Sequence, residues 1–242
     1  MKVGSLFAGI GGFDLGLERA GMRVAWQCEI DPDARAILAK HWPEVPCYGD
    51  IRSIDWSDVE PVDLICGGYP CQPFSHAGSR QGSDDPRHLW PEVARCVREL
   101  RPRWVLLENV AGHLSLGFGS VLGDLAALGY DAWWDCIPAA AIGAPHLRDR
   151  VFVVAWRVAT DADRHGQQAP YRGTTPGKQI VGSGVDTSSP WSIGPPVPPV
   201  RRVDDGVPSR LDTPRLRGLG NAIVPQIPEM IGRVIMEIDR CT

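Results

Sequence analysis

Hydrophobic positions in the first 156 residues follow two alternating periods. Short apolar runs are each followed by a stretch with apolar residues every three or four positions, a succession that predicts strand then helix, repeatedly. "KVGSLFA" is a short apolar strand. "GGFDLGLERAG" carries Phe13, Leu15, Leu17 and Ala20 on a helical spacing, and Gly21 stops it. "RVAWQCEID" is a second strand, and "PDARAILAKHW" a helix with Pro32 near its first turn. "VDLICGG" and "RWVLLENV" are the third and fourth strands, followed by the helices "HLWPEVARCVREL" and "FGSVLGDLAALG". Between "YDAWWDCIPAA" and "RVFVVAWRV" there is too little chain for a crossover helix, so these two are expected as an antiparallel edge pair. The expected fold class is α/β: a doubly wound, mostly parallel sheet with helices on both faces.

The pattern then changes. Residues 160–200 are rich in Gly, Pro, Ser and Thr and carry neither period, which reads as a long loop or a small irregular region. Beyond it, "IPEMIGRVIMEI" is an amphipathic helix placed to return to the main sheet. No run of 18 apolar residues occurs, so no membrane-spanning helix is expected. "FAGIGG" followed by Phe13 and Asp14 is read as mature protein and not as the apolar region of a signal peptide.

Charge adds one feature. The 242-residue chain has a formal net charge of -4, yet residues 146–217 hold eleven Lys/Arg against seven Asp/Glu. A basic segment on an acidic body suits a phosphate backbone and equally suits a solvated surface. The seven cysteines are odd in number and form no CxxC pair, so neither a disulfide framework nor a zinc site is expected; a reducing cytoplasm is.

Three constellations suggest chemistry. In "SLFAGIGGFDLG", Gly9, Gly11 and Gly12 let backbone approach a ligand closely, but Asp14 stands where a phosphate-binding fingerprint needs glycine. A carboxylate there favours a cationic or hydroxyl-bearing ligand. Glu29 closes the second strand at the place that faces ribose hydroxyls, and Asp50 in "YGDI" lies next along the same edge, placed to accept from an adenine amino group. Together they describe an adenosine pocket without a phosphate cradle, which S-adenosylmethionine would suit; a tight turn with surface acids is the plainer alternative.

In "GGYPCQPFSHAG", Cys71 lies between Pro70 and Pro73 at the carboxyl end of a buried strand. Prolines restrict the loop, and the neighbours are not apolar, which suits an aimed nucleophile better than a packing thiol. Cys28, Cys47, Cys66, Cys96 and Cys136 read as small buried hydrophobes. Glu108 ends an apolar strand, where desolvation favours a general acid, though a helix-capping acid has the same pattern. Arg148 and Arg150, two apart at a strand start, are placed for one face, as anion or carbonyl ligands or as a surface pair.

These segments, with "EIDPDA", "GDI", "ENV", "PHLRDRVFVVA" and "RLRGLGNAIVPQ" in that order, resemble the motifs of the C5-cytosine-specific DNA methyltransferase family, of the short bacterial or phage type. The resemblance implies S-adenosyl-L-methionine as cofactor, S-adenosyl-L-homocysteine as product and no metal. It implies attack of Cys71 on C6 of a flipped cytosine in duplex DNA, N3 held by Glu108, O2 by Arg150 and a phosphate by Arg148. The cofactor would be held by Phe7, Ala8, Gly9, Gly11, Glu29, Ile30, Asp50, Ile51, Pro70, Leu89, Asn221 and Ala222. Residues 72–88 resemble the loop that closes over the base, with Gln72 and Ser75 near it and hinges at Gly78 and Gly82. Residues 1–156 would form the catalytic domain, 157–212 a short target-recognition region and 213–242 a returning segment. His146 departs from the family's usual glutamine. The stretch between the arginine motif and "RLRGLGNA", about 64 residues, is shorter than the family's recognition domain. Arg164, Arg172, Lys178, Arg201 and Arg202 are the candidate phosphate contacts there. The implied partners are double-stranded DNA and a cognate restriction endonuclease or an accessory specificity partner. A tRNA cytosine methyltransferase and a non-catalytic DNA-binding subunit remain the alternatives.

Overall fold

The computed structural model describes residues 1–70, 89–115, 117–144, 148–158 and 222–241. Seven strands form one sheet: β1 (Lys2–Leu6), β2 (Arg23–Cys28), β3 (Cys47–Tyr48), β4 (Leu64–Gly68), β5 (Trp104–Val110), β6 (Tyr130–Pro138) and β7 (Asp149–Arg157). Their spatial order is β3-β2-β1-β4-β5-β7-β6. All pairs are parallel as far as β5, while β7 runs antiparallel to both β5 and β6. The expected antiparallel pair is therefore present, with one added feature: β7 inserts between β5 and β6. Its first residues thereby reach the edge where the parallel strands end.

Side-chain alternation divides the core into two layers. One layer holds Leu6, Trp26, Ile65, Val105, Leu107, Val151 and Val153, covered by α3 (Trp90–Leu100) and α4 (Phe118–Ala127). The other holds Val3, Leu64, Cys66, Leu106 and Phe152, covered by α1 (Gly12–Arg19) and the C-terminal α5 (Gln226–Cys241). α2 (Pro32–His41) begins with Pro32 behind the Asp31 cap, whose carboxylate accepts from the amides of Asp33 and Ala34.

The predicted C-terminal helix lies against α1, and two glycines make that approach possible. A Cβ on Gly12 would stand 2.5 Å from the Ile223 carbonyl oxygen, and one on Gly16 2.3 Å from that of Pro225. The room at Gly12, read as space for a ligand, is filled by the chain's own backbone. Gly11 is likewise backed by the Trp42 ring, 2.4 Å from where its Cβ would be.

Asp14 departs further from expectation. It faces the interior, fully buried, accepting from Ser5 Oγ at 2.9 Å and Gln27 Nε2 at 2.7 Å. It ties α1 to β1 and β2 and presents nothing to a ligand. Burial outweighs those hydrogen bonds and raises its pKa from 3.8 to about 6. The unfolded chain releases this proton at lower pH than the folded one, so the folded state binds more protons between the two values. The stabilisation is fully present below 3.8 and is lost as pH rises through about 6, on the order of 3 kcal/mol in all. Asp14→Asn removes that dependence. In urea unfolding, the stability of the variant relative to the parent should climb with pH between about 4 and 6; a constant offset across that range would count against the assignment.

Candidate active site

Five parallel strands end along one edge, and the candidate residues follow them. After β1 the chain turns through Phe7 at φ 50, Gly9 at φ 56 and Gly11 at φ 87. Left-handed backbone at Phe7 costs on the order of 1 kcal/mol or more, a strain of the kind that collects at functional sites. Among the described residues, a Cβ at Gly9 would find nothing nearer than the Phe7 carbonyl oxygen at 4.0 Å.

Glu29, just past β2, braces this turn. One carboxylate oxygen accepts from the Gly9 amide at 2.8 Å and the other from the Asp31 amide at 2.8 Å. Ile30 beside it is 63% exposed, an apolar side chain left in water at this edge. Asp50 follows β3 and caps a short 3-10 turn, Ile51–Ser53. Arg52 holds both oxygens of Asp50, the closer contact at 2.6 Å, and keeps that carboxyl below its ordinary pKa. Arg95 of α3 pins the same turn from behind, donating to the carbonyls of Ile51 at 2.8 Å and Ile54 at 3.1 Å. Leu89 stands at the start of α3, packed on the core layer. Ala222 precedes Ile223, whose backbone covers Gly12, so the late motif meets the glycine turn. Among the described residues, the unfilled side of Gly9, a half-buried carboxylate and an exposed isoleucine along one edge fit a nucleoside, and the filled backs of Gly11 and Gly12 leave little room for a phosphate cradle. The donor set therefore fits S-adenosylmethionine.

Glu108 lies on β5, two strands along from the glycine turn, paired in register with Gly68 of β4. A Cβ on Gly68 would come within 2.9 Å of Glu108 Oε2, so the glycine makes room for the acid. Because β7 is antiparallel, Arg150 sits opposite Val110, and its Nε reaches Glu108 Oε1 at 2.9 Å. The Glu108 side chain is 12% exposed. Burial pushes its pKa up more strongly than Arg150 and Arg148 pull it down. Arg148 lies just outside β7 at φ 34, so simple strand alternation does not place it, yet its charge still acts on Glu108. Burial and the neighbouring Arg150 lower the Arg148 pKa.

The edge also holds contacts with no signal in the sequence. Asn109 points to the opposite face from Glu108 and donates from Nδ2 to the Tyr69 carbonyl at 3.1 Å. The Tyr69 hydroxyl shares a 2.9 Å hydrogen bond with His113 Nε2. Pro70 is exposed at the end of this segment. Cys71, Gln72, Ser75, Gly78, Gly82, His146, Arg164, Arg172, Lys178, Arg201, Arg202 and Asn221 lie outside the described residues. The six described cysteines are free. Burial raises the thiol pKa of Cys28 to about 12 and lifts those of Cys66 and Cys96 as well, which suits packing thiols, while Cys47 and Cys136 are only half-buried. Among the described residues no group of three or more His, Cys, Asp or Glu is placed to hold a metal, and no helix is long and apolar enough to cross a membrane.

The family model for C-5 cytosine-specific DNA methylases matches residues 1–181. The chain belongs to this family. Among curated relatives of these methylases, the Type II methyltransferase M.NgoMIV of Neisseria gonorrhoeae is 40% identical over 61% of this chain and 49% of its own length. M2.BsuMI of Bacillus subtilis is 37% identical over 64% and 42%. M.AquIA of Picosynechococcus is 36% identical over 65% and 72%. The chain thus spans about half the length of the first two. Among solved structures, a DNA modification methyltransferase of an Escherichia coli prophage, itself described as putative, matches at TM-score 0.56 with 31% identity, over 65% of this chain and 47% of that one. Spodoptera frugiperda DNMT2 matches at 0.56 with 21% identity over 71% and 52%, a likeness of fold.

The Glu108–Arg150 pair generates a test. Arg150→Met leaves a buried carboxylate without its partner, which costs a few kcal/mol when the group is ionised. Glu108 then holds its proton to still higher pH, so the loss should be larger at pH 8 than at pH 5 in urea unfolding. Equal losses at both pH values would show that the pair contributes no charge-dependent stability.

Proposed function

We propose that this methylase transfers a methyl group from S-adenosyl-L-methionine to C5 of cytosine in duplex DNA. The observation that carries the reading is Glu108, a desolvated carboxyl paired with Arg150 at 2.9 Å, two strands' ends from Gly9 along the same edge. Family membership and the likeness to Type II methyltransferases support it.

C5 of cytosine is a weak nucleophile until an atom adds at C6. The Cys71 thiolate forms a C–S bond there, and the C5–C6 π electrons become available at C5. Negative charge developing on the ring is met by Glu108, which donates its proton toward N3, and by Arg150 at O2. A carboxyl with a raised pKa keeps that proton closer to neutral pH than an ordinary glutamic acid would. S-adenosylmethionine, when bound, supplies the methyl group as an electrophile; Phe7, Ala8, Gly9, Gly11, Glu29, Ile30, Asp50, Ile51, Pro70, Leu89, Asn221 and Ala222 would hold it. Loss of the C5 proton to water, cleavage of the C–S bond and return of the N3 proton to Glu108 restore the aromatic ring and the thiolate, and the demethylated cofactor would leave as S-adenosyl-L-homocysteine. The target must leave the stack to reach this edge, since its C6 face is covered in a duplex.

Residues 157–212 would supply target recognition, with Arg164, Arg172, Lys178, Arg201 and Arg202 on phosphates. Gln72 and Ser75 would lie near the base, and Arg148 would meet a phosphate. A cognate endonuclease or a specificity partner would fit the Type II relatives and the short recognition region, in a cytoplasmic setting.

Incubation with labelled S-adenosylmethionine and mixed-sequence duplex DNA should yield 5-methylcytosine, and 5-fluorocytosine DNA should form a covalent adduct on Cys71. Cys71→Ala should abolish both. Glu108→Gln should slow single-turnover methyl transfer roughly 10²–10⁴-fold and flatten the fall in rate at high pH where Glu108 loses its proton. Unlabelled DNA together with an absent adduct would sink the reading.

A further inference from the structure

Residue 69 is held through its carbonyl and its hydroxyl by the segment that carries Glu108. β4 ends at Gly68, and the chain passes through Tyr69 and Pro70 to Cys71. The Tyr69 carbonyl accepts from Asn109 Nδ2 at 3.1 Å. Asn109 is itself fixed, because its Oδ1 accepts from the Val110 amide at 2.9 Å. The Tyr69 hydroxyl meets His113 Nε2 at 2.9 Å. His113 belongs to the short turn Ala111–Ser115 that continues directly from β5.

The surroundings make this contact stiff. Tyr69 and His113 are both buried. Their rings pack edge to face at 5.7 Å, His113 packs likewise on Phe118 at 5.7 Å, and Tyr69 lies against Trp90 at 5.3 Å. Trp90 is anchored in turn, donating from Nε1 to Asp124 at 2.6 Å. A polar pair buried in an aromatic layer is costly to leave half-made and has few ways to rearrange. An apolar contact would have filled the same space without fixing the tyrosine's direction.

We propose that His113 and Tyr69 are positioning residues: their hydrogen bond, with the Asn109 contact, sets the backbone from which Cys71 departs relative to Glu108. This rests on the methyltransferase reading above. The nucleophile's anchor and the acid are then referred to one stretch, residues 108–113, whichever way the rest of the domain moves. A displacement near 1 Å at a reacting group costs up to about a hundredfold in rate, which is the scale on which such a buttress acts.

The test uses the full chain and three variants: Tyr69→Phe, His113→Gln and the double Tyr69→Phe/His113→Phe. The expected result is a single-turnover methylation rate about tenfold or more lower in Tyr69→Phe, with S-adenosylmethionine affinity within about twofold of the parent, and a milder loss in His113→Gln, whose amide can still meet the hydroxyl. The double variant removes both partners of the Tyr69–His113 hydrogen bond, so its folding stability should recover relative to Tyr69→Phe while its rate stays low. A merely structural pair would recover both. A double variant at the parental rate overturns the proposal. If the parent methylates no cytosine, the function reading fails and alkylation of Cys71 by iodoacetamide decides this one: a change of threefold or more in Tyr69→Phe supports it, and an unchanged rate overturns it.

Discussion

Glu108 and Arg150 are opposite charges 2.9 Å apart with little water around either. Desolvating each is expensive, and the attraction between them offsets that expense only while both stay in place. Their meeting depends on the direction of one strand. A seventh strand running parallel to β5 would begin at the far edge of the sheet and carry its first residues away from Glu108. Antiparallel insertion of β7 brings Arg148 and Arg150 to the edge where the five parallel strands finish. The carboxyl also needs a vacancy on the neighbouring strand, and Gly68, facing it in register, provides one. The acid, its cation and the gap it fills are set by three strands at once, so the site tolerates little change in sheet order.

The opposite end of the same edge is built from glycines that serve different purposes. Gly12 and Gly16 admit the backbone of Ile223–Pro225, which locks α5 over α1 and carries the late motif to the glycine turn. Gly11 admits a tryptophan ring. Among the described residues, Gly9 alone of the turn's glycines has no close neighbour on its Cβ side, and Glu29 braces it through its amide. The filled positions beside Gly11 and Gly12 leave little room there for a phosphate cradle.

Much of this was legible in the chain because local pattern and final environment coincide. Apolar runs ended where strands end, and the helix periods matched the faces that became buried. Glu108 was recognisable because a charge next to an apolar run is desolvated in almost any packing, although β5 in fact continues two residues beyond it to Val110. Asp14 misled for the complementary reason. At a glycine turn a carboxylate looks like a ligand group, and only Ser5 and Gln27, brought in from two strands, turn it inward. β3 escaped notice because two residues, Cys47 and Tyr48, hold no period. Nor does any local pattern distinguish an edge pair from a strand inserted between its partner and the sheet. The Tyr69–His113 contact joins positions 44 apart, beyond the reach of any spacing rule.

Alternation along β5 has one further consequence. Glu108 faces the layer beneath α1 and α5, and Asn109, the next residue, faces the layer beneath α3 and α4. One strand thus presents Glu108 on one side of the sheet and holds the Tyr69 backbone from the other. Consecutive strand residues cannot slip relative to each other without breaking the ladder. The spacing between the two functions is therefore fixed by covalent geometry at β5, and the hydrogen bonds to Tyr69 transmit that fixed spacing across to β4. The segment Gly68–Pro70 is thereby tied to β5 by hydrogen bonds as well as by the sheet ladder.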